Sequence, residues 1–383
     1  MINIGGFNFA KKNTLFIMKA YYNGQIFTGE KIVSHKCVLT EDNKIIGIVN
    51  ADEIPDAAQK IDLKGHLLAP TLIDLQIYGG NGHLFGEYPS VKALEATYQY
   101  CLAGGAAYFM PTVATNSEKI MLEAIQAVKD YWQQGGQGVL GLHLEGPFIN
   151  MAKRGAHLKQ FVENNPSVQL QIAKKLLEEG ENVIKIMTLA PEVVSDEVID
   201  LLQKNGVTIS IGHTNATYEQ AKAAFQKGIH AATHLFNAMS PLQHRAPGVV
   251  GAIFDDKTVC TSVVADGHHV DFSVIRISKA VLKERMFLIT DAVAENLGGS
   301  YSHRLDGDKY VIADGTLSGS ALTMLQAVKN CVEKVGIPLE EALRMASLYP
   351  ARVMGLDNHL GKIEAESNAD FIVLDDKMNK IAL

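Results

Sequence analysis

Four short apolar runs of the chain each end in a side chain that can bind a metal or transfer a proton. The runs are G-L-H-L-E, I-S-I-G-H, A-A-T-H and F-L-I-T-D, and they end in Glu145, His213, His234 and Asp291. Each run has the length and composition of a buried strand. One carboxylate and two imidazoles form a three-ligand catalytic zinc set that leaves one coordination position open for water. The pattern therefore predicts a mononuclear metal hydrolase.

Each of these residues also has a purely structural interpretation. A lone histidine at a strand end more often hydrogen-bonds to a loop carbonyl, and Asp291 could cap a following helix. Two histidines on successive strand–helix units, together with Glu145, favour the metal interpretation. Asp291 is favoured as the proton-transferring group because a barrel hydrolase needs a carboxylate opposite the metal to take the proton of the attacking water.

The elements that would position these residues form an alternating α/β pattern. Helical spacing separates most of the runs, as in Glu118–Trp132 and Tyr218–Lys227, and helices over Leu322–Val335 and Leu339–Met345 would cap the barrel. This alternation predicts a closed (β/α)8 TIM-like barrel, in which the carboxyl ends of the strands converge on one site. The eight predicted strands are Leu67–Gln76, Ala106–Val113, Val139–Glu145, Val183–Leu189, Val207–Gly212, His230–His234, Val259–Ala265 and Met286–Thr290.

Both ends of the chain have the character of short hairpin strands. Alternating runs broken by Asn, Gly and Asp extend to about His66, and F-I-V-L near the C-terminus has the same character. We predict a small β-sandwich domain built from residues 18–66 and 358–383, around a barrel formed by residues 67–357. Residues 1–17 are predicted to be an appended or disordered segment, with Met18 as an alternative start.

Composition excludes several classes of function. The 383 residues carry a formal net charge of -7 without a dense basic run, which disfavours nucleic acid and anionic membranes as partners. No apolar run approaches the roughly 20 residues of a membrane span, and no secretory signal is apparent. The four cysteines are scattered without a CxxC motif. Free thiols and a cytoplasmic location are therefore expected.

Four further histidines allow more than one interpretation. His157, in K-R-G-A-H, is by itself a weak signal that also suits a solvated loop. His143 shares the face of Glu145 by strand alternation but lies deeper, so it is interpreted as an interior histidine with satisfied hydrogen bonds. Of His268 and His269, one imidazole could face the site and the other solvent, and the sequence does not say which.

Two loop segments are also open to two interpretations. Arg245, in Q-H-R-A-P-G, could be an ordinary surface cation or could bind an anion from the long loop after His234. The run L-S-G-S-A contains Leu317 and Ser318 and precedes a predicted helix. It could supply a helix cap through Ser318 or Ser320, or it could line the substrate.

Taken together, the motifs resemble those of the N-acetylglucosamine-6-phosphate deacetylases within the amidohydrolase superfamily. The resemblance covers the chain from about Lys19 to its end, and H-L-E-G-P-F with T-H-L-F-N-A-M is its most specific part. It implies hydrolysis of the acetamide of N-acetylglucosamine 6-phosphate to glucosamine 6-phosphate and acetate, in amino-sugar catabolism and recycling. The other matching stretches are A-P-T-L-I-D-L-Q, R-G-A-H, I-G-H-T-N-A, R-A-P-G-V-V-G-A, A-D-G-H-H-V-D, L-I-T-D-A and L-S-G-S-A-L-T-M.

The resemblance implies three metal ligands and two catalytic residues. Glu145, His213 and His234 would bind one divalent metal ion per chain, with zinc expected and iron, cobalt or manganese as alternatives. Asp291 would act first as general base and then as general acid. His157 would polarise the acetamide carbonyl and stabilise the oxyanion.

The resemblance also implies a substrate-binding set and a homodimer. Asn237 and Ala238 would offer backbone amides to the sugar phosphate, and His269 and Arg245 would hold phosphate or hydroxyl groups. In the family the equivalent of Arg245 reaches into the neighbouring subunit's site, which implies that two copies assemble. The full set of predicted substrate-binding residues is Gln76, Asn237, Ala238, Arg245, His269, Leu317 and Ser318.

The first barrel strand departs from the superfamily pattern. Gln76 and Tyr78 stand where many members have two histidines, so the ligands of a second metal are absent and one ion is expected. Family members with this glutamine usually have asparagine two residues later. A phenol at position 78 is therefore expected to narrow the pocket near the first strand.

Two other functions compete with the deacetylase. Another amidohydrolase, such as a cyclic-amide hydrolase or a deaminase, is disfavoured because Gln76 and Tyr78 replace the histidine pair. A barrel that has lost catalysis and serves in binding or assembly is disfavoured by the intact set of Glu145, His213, His234 and Asp291.

Overall fold

Eight parallel strands form the central sheet of the computed structural model, which describes residues 17–382. They follow one another in chain order, and each overlaps one of the eight predicted strands. A two-stranded ribbon of β9 (Gly79–Gly80) and β10 (His83–Leu84) follows the first of them. The eight strands are β8 (Leu72–Ile77), β11 (Ala106–Ala114), β12 (Leu142–Glu145), β13 (Ile184–Leu189), β14 (Thr208–Ile211), β15 (Ala231–Ala232), β16 (Cys260–Val263) and β17 (Met286–Leu288).

The sheet closes between β8 and the segment that follows β17. The backbone N–H of Asp291 donates to the carbonyl of Gln76 at 3.0 Å, and the N–H of Tyr78 donates to the carbonyl of Ala292 at 2.8 Å. These bonds join residues about 215 positions apart in the chain. The predicted (β/α)8 barrel is therefore confirmed, with its first and last strands adjacent.

Helices separate most of the barrel strands. Helix α2 begins after Ser117, whose side chain accepts a hydrogen bond from the N–H of Ile120, and α5 begins with a capping box of Thr217 and Gln220. The helices are α1 (Val91–Ala103), α2 (Glu118–Gln133), α3 (Pro166–Glu179), α4 (Asp196–Lys204), α5 (Tyr218–Gln226), α6 (Gly248–Asp255), α7 (Phe272–Leu282), α8 (Met324–Asn330), α9 (Leu339–Ala346) and α10 (Leu348–Val353). Among residues 17–382, no helix is long and apolar enough to cross a membrane.

Two four-stranded sheets built from both ends of the chain form the predicted small β-sandwich. One has the order β5-β4-β1-β6, and the other joins the C-terminal strand β21 (Phe371–Leu374) to β7, β2 and β3. A separate apolar cluster, which includes Ile26, Val38 and Val373, lies between them. The N-terminal strands are β1 (Met18–Tyr22), β2 (Gln25–Phe27), β3 (Ile32–Val33), β4 (Lys36–Glu41), β5 (Lys44–Asn50), β6 (Gln59–Asp62) and β7 (Leu67–Pro70).

The predicted first barrel strand, Leu67–Gln76, consists of two strands. Leu67–Pro70 pairs with Phe371–Leu374 and belongs to the small sandwich, while Leu72–Ile77 pairs with β11 in the barrel. Both halves are apolar and buried, so their composition does not reveal that they belong to different sheets. Of the appended segment predicted over residues 1–17, all but Ile17 lies outside the described residues.

A three-stranded antiparallel sheet follows the eighth barrel strand and was not predicted. It consists of β18 (Arg304–Asp306), β19 (Lys309–Val311) and β20 (Leu317–Ser320). The N–H of Ser320 donates to the carbonyl of Asp291 at 2.9 Å, so β20 lies against the end of β17. The alternative of a helix cap at Ser318 or Ser320 is wrong, because both lie in β20 and Thr323 caps α8.

Candidate active site

The barrel strands bring the four predicted residues to one end of the sheet. Glu145 is the last residue of β12, and His213, His234 and Asp291 follow the ends of β14, β15 and β17. These last three have φ angles of 48°, 34° and 56°, a left-handed conformation that costs a non-glycine residue roughly 1–2 kcal/mol. Such strain clusters where the surrounding structure holds a side chain in a required position. No helix begins directly after Asp291, so it is not the cap that a structural interpretation suggested.

The potential metal-binding atoms of Glu145, His213 and His234 lie within hydrogen-bond distance of one another. Glu145 Oε1 lies 2.9 Å from His234 Nε2 and 3.2 Å from His213 Nε2, and the two Nε2 atoms are 3.1 Å apart. All three residues are buried. Tetrahedral ligands of a zinc ion would lie about 3.4 Å apart, given metal–ligand distances of 2.0–2.2 Å. The observed spacing is close to that arrangement.

The hydrogen bonds around the three residues also suit a cation. His213 Nδ1 donates to the carbonyl of Lys153 at 2.9 Å, which turns Nε2 toward Glu145. Burial opposes ionisation of Glu145, but the nearby His213 and the hydrogen bonds from the histidines hold its pKa well below the usual value. One carboxylate oxygen and two imidazole nitrogens therefore face the same point, which is the donor set expected for a divalent metal.

His157 lies beside these residues with its protonation state defined. His157 Nδ1 lies 3.2 Å from the backbone nitrogen of Thr115 and 2.8 Å from its hydroxyl, and the carboxylate that faces Nε2 can only accept, so the proton is on Nε2. Nε2 lies 3.0 Å from Glu145 Oε2. Burial and the adjacent His213 lower the pKa of His157 to about 4, so the imidazole is neutral at pH 7. The structure thus brings His157 into the site as a neutral hydrogen-bond donor.

Gln76 connects the two carboxylates of the site. Its Nε2 lies 3.0 Å from both Glu145 Oε1 and Asp291 Oδ1, and 2.8 Å from the hydroxyl of Tyr78. Thr233 donates from its hydroxyl to Gln76 Oε1, which orients the amide with its nitrogen toward the site. Tyr78 in turn donates to Glu145 Oε2 at 2.5 Å. Burial, followed by the charges of Glu145 and Asp291, raises the pKa of Tyr78 well above 10.

Asp291 is suited to accept a proton. Burial raises its pKa above the ordinary value, while nearby His269 and His234 act in the opposite direction. His269 donates from Nδ1 to Asp266 Oδ2 at 2.6 Å, and its Nε2 lies 3.6 Å from Asp291 Oδ2. A raised carboxylate pKa brings the proton affinity closer to the value that general acid–base transfer requires near neutral pH.

The remaining predicted substrate-binding residues divide into two groups. Asn237, Ala238, Leu317 and Ser318 line the same cavity as the four residues at the strand ends. The backbone N–H of Asn237 is already engaged, since it donates to the carbonyl of His234 at 2.9 Å. Arg245 is exposed in the loop between β15 and α6 and is not part of the cavity lining.

The structure also decides between the alternatives for His143 and for the pair at 268–269. His143 bonds to the carbonyl of Leu75 at 3.1 Å and to the hydroxyl of Thr188 at 2.8 Å, which confirms a satisfied interior histidine. His269 lines the cavity, while His268 is exposed and lies 2.6 Å from Asp308.

Among the cavity residues that were not identified from the sequence, two have side chains that can donate or accept hydrogen bonds. Tyr301 donates its hydroxyl to the carbonyl of Thr115 at 2.6 Å, and His303 bonds through Nδ1 to Ser318 Oγ at 2.9 Å. Both precede β18, in a segment without the apolar runs that marked the other site residues. The histidine in Y-S-H-R was the only available signal, and alone it is weak.

Models of two protein families match the chain. The model described as "Amidohydrolase family" matches residues 67–382, and the one described as "NagA composite domain" matches residues 18–68. The first match alone covers more than half of the chain. Members of the amidohydrolase family depend on a metal, in agreement with the cluster of Glu145, His213 and His234.

Named relatives are similar along most of the chain. An N-acetylglucosamine-6-phosphate deacetylase of Haemophilus influenzae is 35% identical over 366 residues, which cover 92% of this chain and 94% of that protein. The human enzyme of the same name is 36% identical over 342 residues, covering 84% of this chain and 83% of its own length. An N-acetylgalactosamine-6-phosphate deacetylase of Escherichia coli O157:H7 is 34% identical over 343 residues, with coverage of 86% and 89%.

Solved structures agree with these relatives. The crystal structure of N-acetylglucosamine-6-phosphate deacetylase from Pasteurella multocida superposes with a TM-score of 0.89 at 36% identity, over 95% of this chain and 97% of that one. A variant of the Mycobacterium smegmatis enzyme, solved in complex with N-acetyl-D-glucosamine-6-phosphate, gives a TM-score of 0.85 at 25% identity, over 95% and 96%. The chain therefore belongs to the N-acetylglucosamine-6-phosphate deacetylase family of amidohydrolases.

Proposed function

We propose that this protein hydrolyses the acetamide of N-acetylglucosamine 6-phosphate to glucosamine 6-phosphate and acetate. The observation that carries the proposal is the buried cluster of Glu145, His213 and His234 with Asp291 beside it, in a chain 35% identical to a deacetylase of that name. N-acetylgalactosamine 6-phosphate is a second candidate substrate, because a relative named for it is 34% identical.

A divalent ion held by Glu145, His213 and His234 would supply a Lewis acid and lower the pKa of water at the site. Zinc is the proposed ion because one carboxylate and two imidazoles are ligands that it accepts in catalytic sites. Iron, cobalt and manganese remain alternatives, since the same donors bind them as well.

The protein's own residues would then move the protons of the reaction. Asp291 would take a proton from the attacking water and later deliver it to the sugar nitrogen, which leaves as an amine. His157 would donate from Nε2 to the acetamide oxygen as negative charge develops there. Its neutral state at pH 7, with the proton on Nε2, supports this role.

The sugar phosphate would bind at the outer part of the cavity. We propose Gln76, Asn237, Ala238, His269, Leu317 and Ser318 as contacts of the substrate, all of them close to the metal ligands or in the cavity lining. Of the two predicted backbone amides, that of Ala238 is the better donor candidate, since the amide of Asn237 already bonds to His234. Arg245 of the partner subunit would complete the phosphate site in a homodimer.

The substrate assay compares four compounds with the purified protein at known metal content. Acetate release would be followed from N-acetylglucosamine 6-phosphate, N-acetylgalactosamine 6-phosphate, unphosphorylated N-acetylglucosamine and a cyclic amide. We expect release from the first compound and little from the last two.

Asp291→Asn, which keeps the shape of the side chain, should bind metal but lose nearly all turnover. Wild-type turnover in that variant would contradict the proposed role of Asp291.

The homodimer can be tested by mixing two defective proteins. Arg245→Ala should bind substrate weakly, and Asp291→Asn should be inactive. If Arg245 acts across the interface, a mixed dimer contains one complete site and recovers activity that neither parent has. Absence of recovery in mixed dimers confirmed by mass would mean that Arg245 does not serve a neighbouring site.

The location of the protein in the cell stays a prediction. All four cysteines are free in the structure, and Cys37, Cys101 and Cys331 are buried. Free thiols are usual in reducing compartments. This supports the proposed cytoplasmic location.

A further inference from the structure

The second oxygen of Glu145 has its own hydrogen-bond donors, distinct from the groups around the first. Oε1 faces the metal-binding nitrogens of His213 and His234. Oε2 instead accepts a hydrogen bond from the hydroxyl of Tyr78 at 2.5 Å and lies 3.0 Å from Nε2 of His157. The two oxygens of one carboxylate are therefore in different environments.

Both lone pairs of Glu145 Oε2 are engaged by hydrogen-bond donors, which leaves none for a metal ion. A carboxylate oxygen has two lone pairs, and Tyr78 and His157 together engage both on Oε2. Gln76 Nε2 lies 2.8 Å from the hydroxyl of Tyr78, and its two N–H groups are shared among this hydroxyl, Glu145 Oε1 and Asp291 Oδ1. The hydroxyl is thus held from both sides, and its proton points at Oε2.

We propose that Tyr78 is a positioning residue that keeps Glu145 a one-oxygen ligand of a single metal ion. Its hydroxyl bonds to Oε2 and fixes the rotation of the carboxylate, so that Oε1 is the oxygen that faces the cation. The proposal rests on the proposed metal site formed by Glu145, His213 and His234. It assigns to Tyr78 a function other than the narrowing of the pocket expected from the sequence.

The role of Tyr78 becomes greater when substrate binds. In the proposed reaction, His157 turns its Nε2 proton toward the acetamide oxygen and gives up its bond to Glu145. Tyr78 then remains as the donor that holds Oε2. Without it, Glu145 could rotate to bind the ion through both oxygens and fill the coordination position needed for water. The hydroxyl of Tyr78 therefore compensates for the release of His157.

The test measures metal binding rather than turnover. Tyr78→Phe removes the hydroxyl and keeps the ring, and Tyr301→Phe is the matched control, because its hydroxyl in the same cavity bonds to the carbonyl of Thr115 rather than to a metal ligand. Zinc affinity would be measured by competition with a chromophoric chelator, and the visible spectrum would be recorded after cobalt substitution. Four-coordinate cobalt absorbs more strongly than cobalt of higher coordination number.

We expect Tyr78→Phe to bind one zinc ion per chain with a dissociation constant about 10–100-fold higher than the wild type, as loss of a group that orients a metal ligand typically produces. Its cobalt spectrum should weaken, while Tyr301→Phe should match the wild type in both measurements. If the phenylalanine variant does not fold, Tyr78→Met, whose side chain fills the space without a hydroxyl, should show the same changes.

Unchanged zinc affinity and an unchanged cobalt spectrum in the Tyr78 variants would overturn the role of Tyr78 alone. A wild-type protein that binds no divalent ion would overturn the metal site, and the proposal with it. The two failures are therefore distinguishable, and neither requires the substrate to be known.

Discussion

The direction of each hydrogen bond around His157 defines what this side chain can do. Thr115 donates its backbone N–H to Nδ1, which leaves the proton on Nε2, next to Glu145 Oε2. Burial holds the pKa of His157 at about 4, so the ring does not carry a positive charge at neutral pH. A neutral N–H donor already placed at the site can stabilise charge that develops on a substrate oxygen, and such electrostatic stabilisation is a major source of catalysis.

His157→Asn tests this donor. We expect turnover to fall about 10²–10³-fold, the usual cost of removing one oxyanion donor, with the metal content unchanged. Acetate release and metal analysis on the same preparation would measure both quantities. Loss of metal in this variant would instead indicate that His157 mainly supports Glu145.

His303 makes folding stability depend on pH. Burial lowers its pKa from 6.5 to about 4 in the folded protein. Between these values the unfolded chain binds a proton that the folded protein does not, so the stabilising contribution is present above pH 6.5 and is lost as the pH falls toward 4. We expect this histidine to lower the free energy of unfolding by about 2 kcal/mol between pH 7 and pH 5.

Chemical denaturation of His303→Gln and of the wild type at both pH values measures this contribution. Any fixed cost of the substitution is the same at pH 7 and pH 5, so only the change with pH is compared. An equal loss of stability in both proteins would show that His303 titrates normally in the folded state.

At the level of elements, the ends of the barrel strands and the antiparallel sheet of β18, β19 and β20 together form the site. Glu145 ends β12, and Gly146 follows it with a φ of 94°. A Cβ at Gly146 would lie 2.1 Å from Thr115 Oγ1, so the chain can turn there only without a side chain. On the opposite side, β20 brings Leu317 and Ser318 into the cavity. The barrel thus positions the residues at the strand ends, and the added sheet forms one side of the cavity.

Gly319→Ala should displace β20 from the barrel. A Cβ at Gly319 would lie 2.5 Å from Val293 Cγ1, and the φ of 133° disfavours any side chain. We expect a loss of roughly 1–3 kcal/mol in unfolding free energy, as for other overpacked sites, and a higher KM with zinc still bound. Steady-state kinetics and denaturation would measure these effects.

Gly307→Ala is the matched control for that substitution. Gly307 lies in the turn between β18 and β19, also has a positive φ, and its Cβ would meet no atom within 4 Å. Its KM should match the wild type. A similar rise of KM in both variants would attribute the effect to backbone strain in the sheet and not to the contact between β20 and Val293.

At the scale of the whole molecule, the two chain ends and the barrel depend on one another. The N–H of Ile45 donates to the carbonyl of Ser367 at 2.9 Å, and β7 pairs with β21, so the sandwich requires both termini. The chain passes directly from β7 in the sandwich to β8 in the barrel. The domain limits of 18–66, 67–357 and 358–383 stay a prediction.

Metal binding should stabilise the entire fold, because the three proposed ligands come from three barrel strands. A metal present at 100 times its dissociation constant should add about 2.7 kcal/mol to the free energy of unfolding. Denaturation of the chelated protein with and without zinc, beside acetate assays, would measure this effect. Activity should disappear with chelation and return with zinc. Full activity after complete metal removal would contradict a metal-dependent reaction.

Much of this protein was predictable because its chemistry lies at the ends of regular elements. A buried strand is recognisable from a few consecutive apolar residues, and Glu145, His213, His234 and Asp291 each end one. Repetition of strand and helix predicts the barrel, and a barrel brings strand ends together. The motif match added the expected roles of Gln76 and His157, both of which lie at the site.

Other features depended on contacts between distant parts of the chain. The division of Leu67–Gln76 into two strands follows from pairing with residues about 300 positions away, and composition does not encode that partner. The positions of Tyr301 and His303 depend on how a sheet after the last strand folds back over the barrel. Similarly, the bond from Tyr78 to Glu145 joins residues 67 positions apart. Local sequence determined the strands and their terminal side chains, because periodicity reflects burial along one element. Only the tertiary structure decided which side chains meet across the barrel, because barrel closure sets those distances.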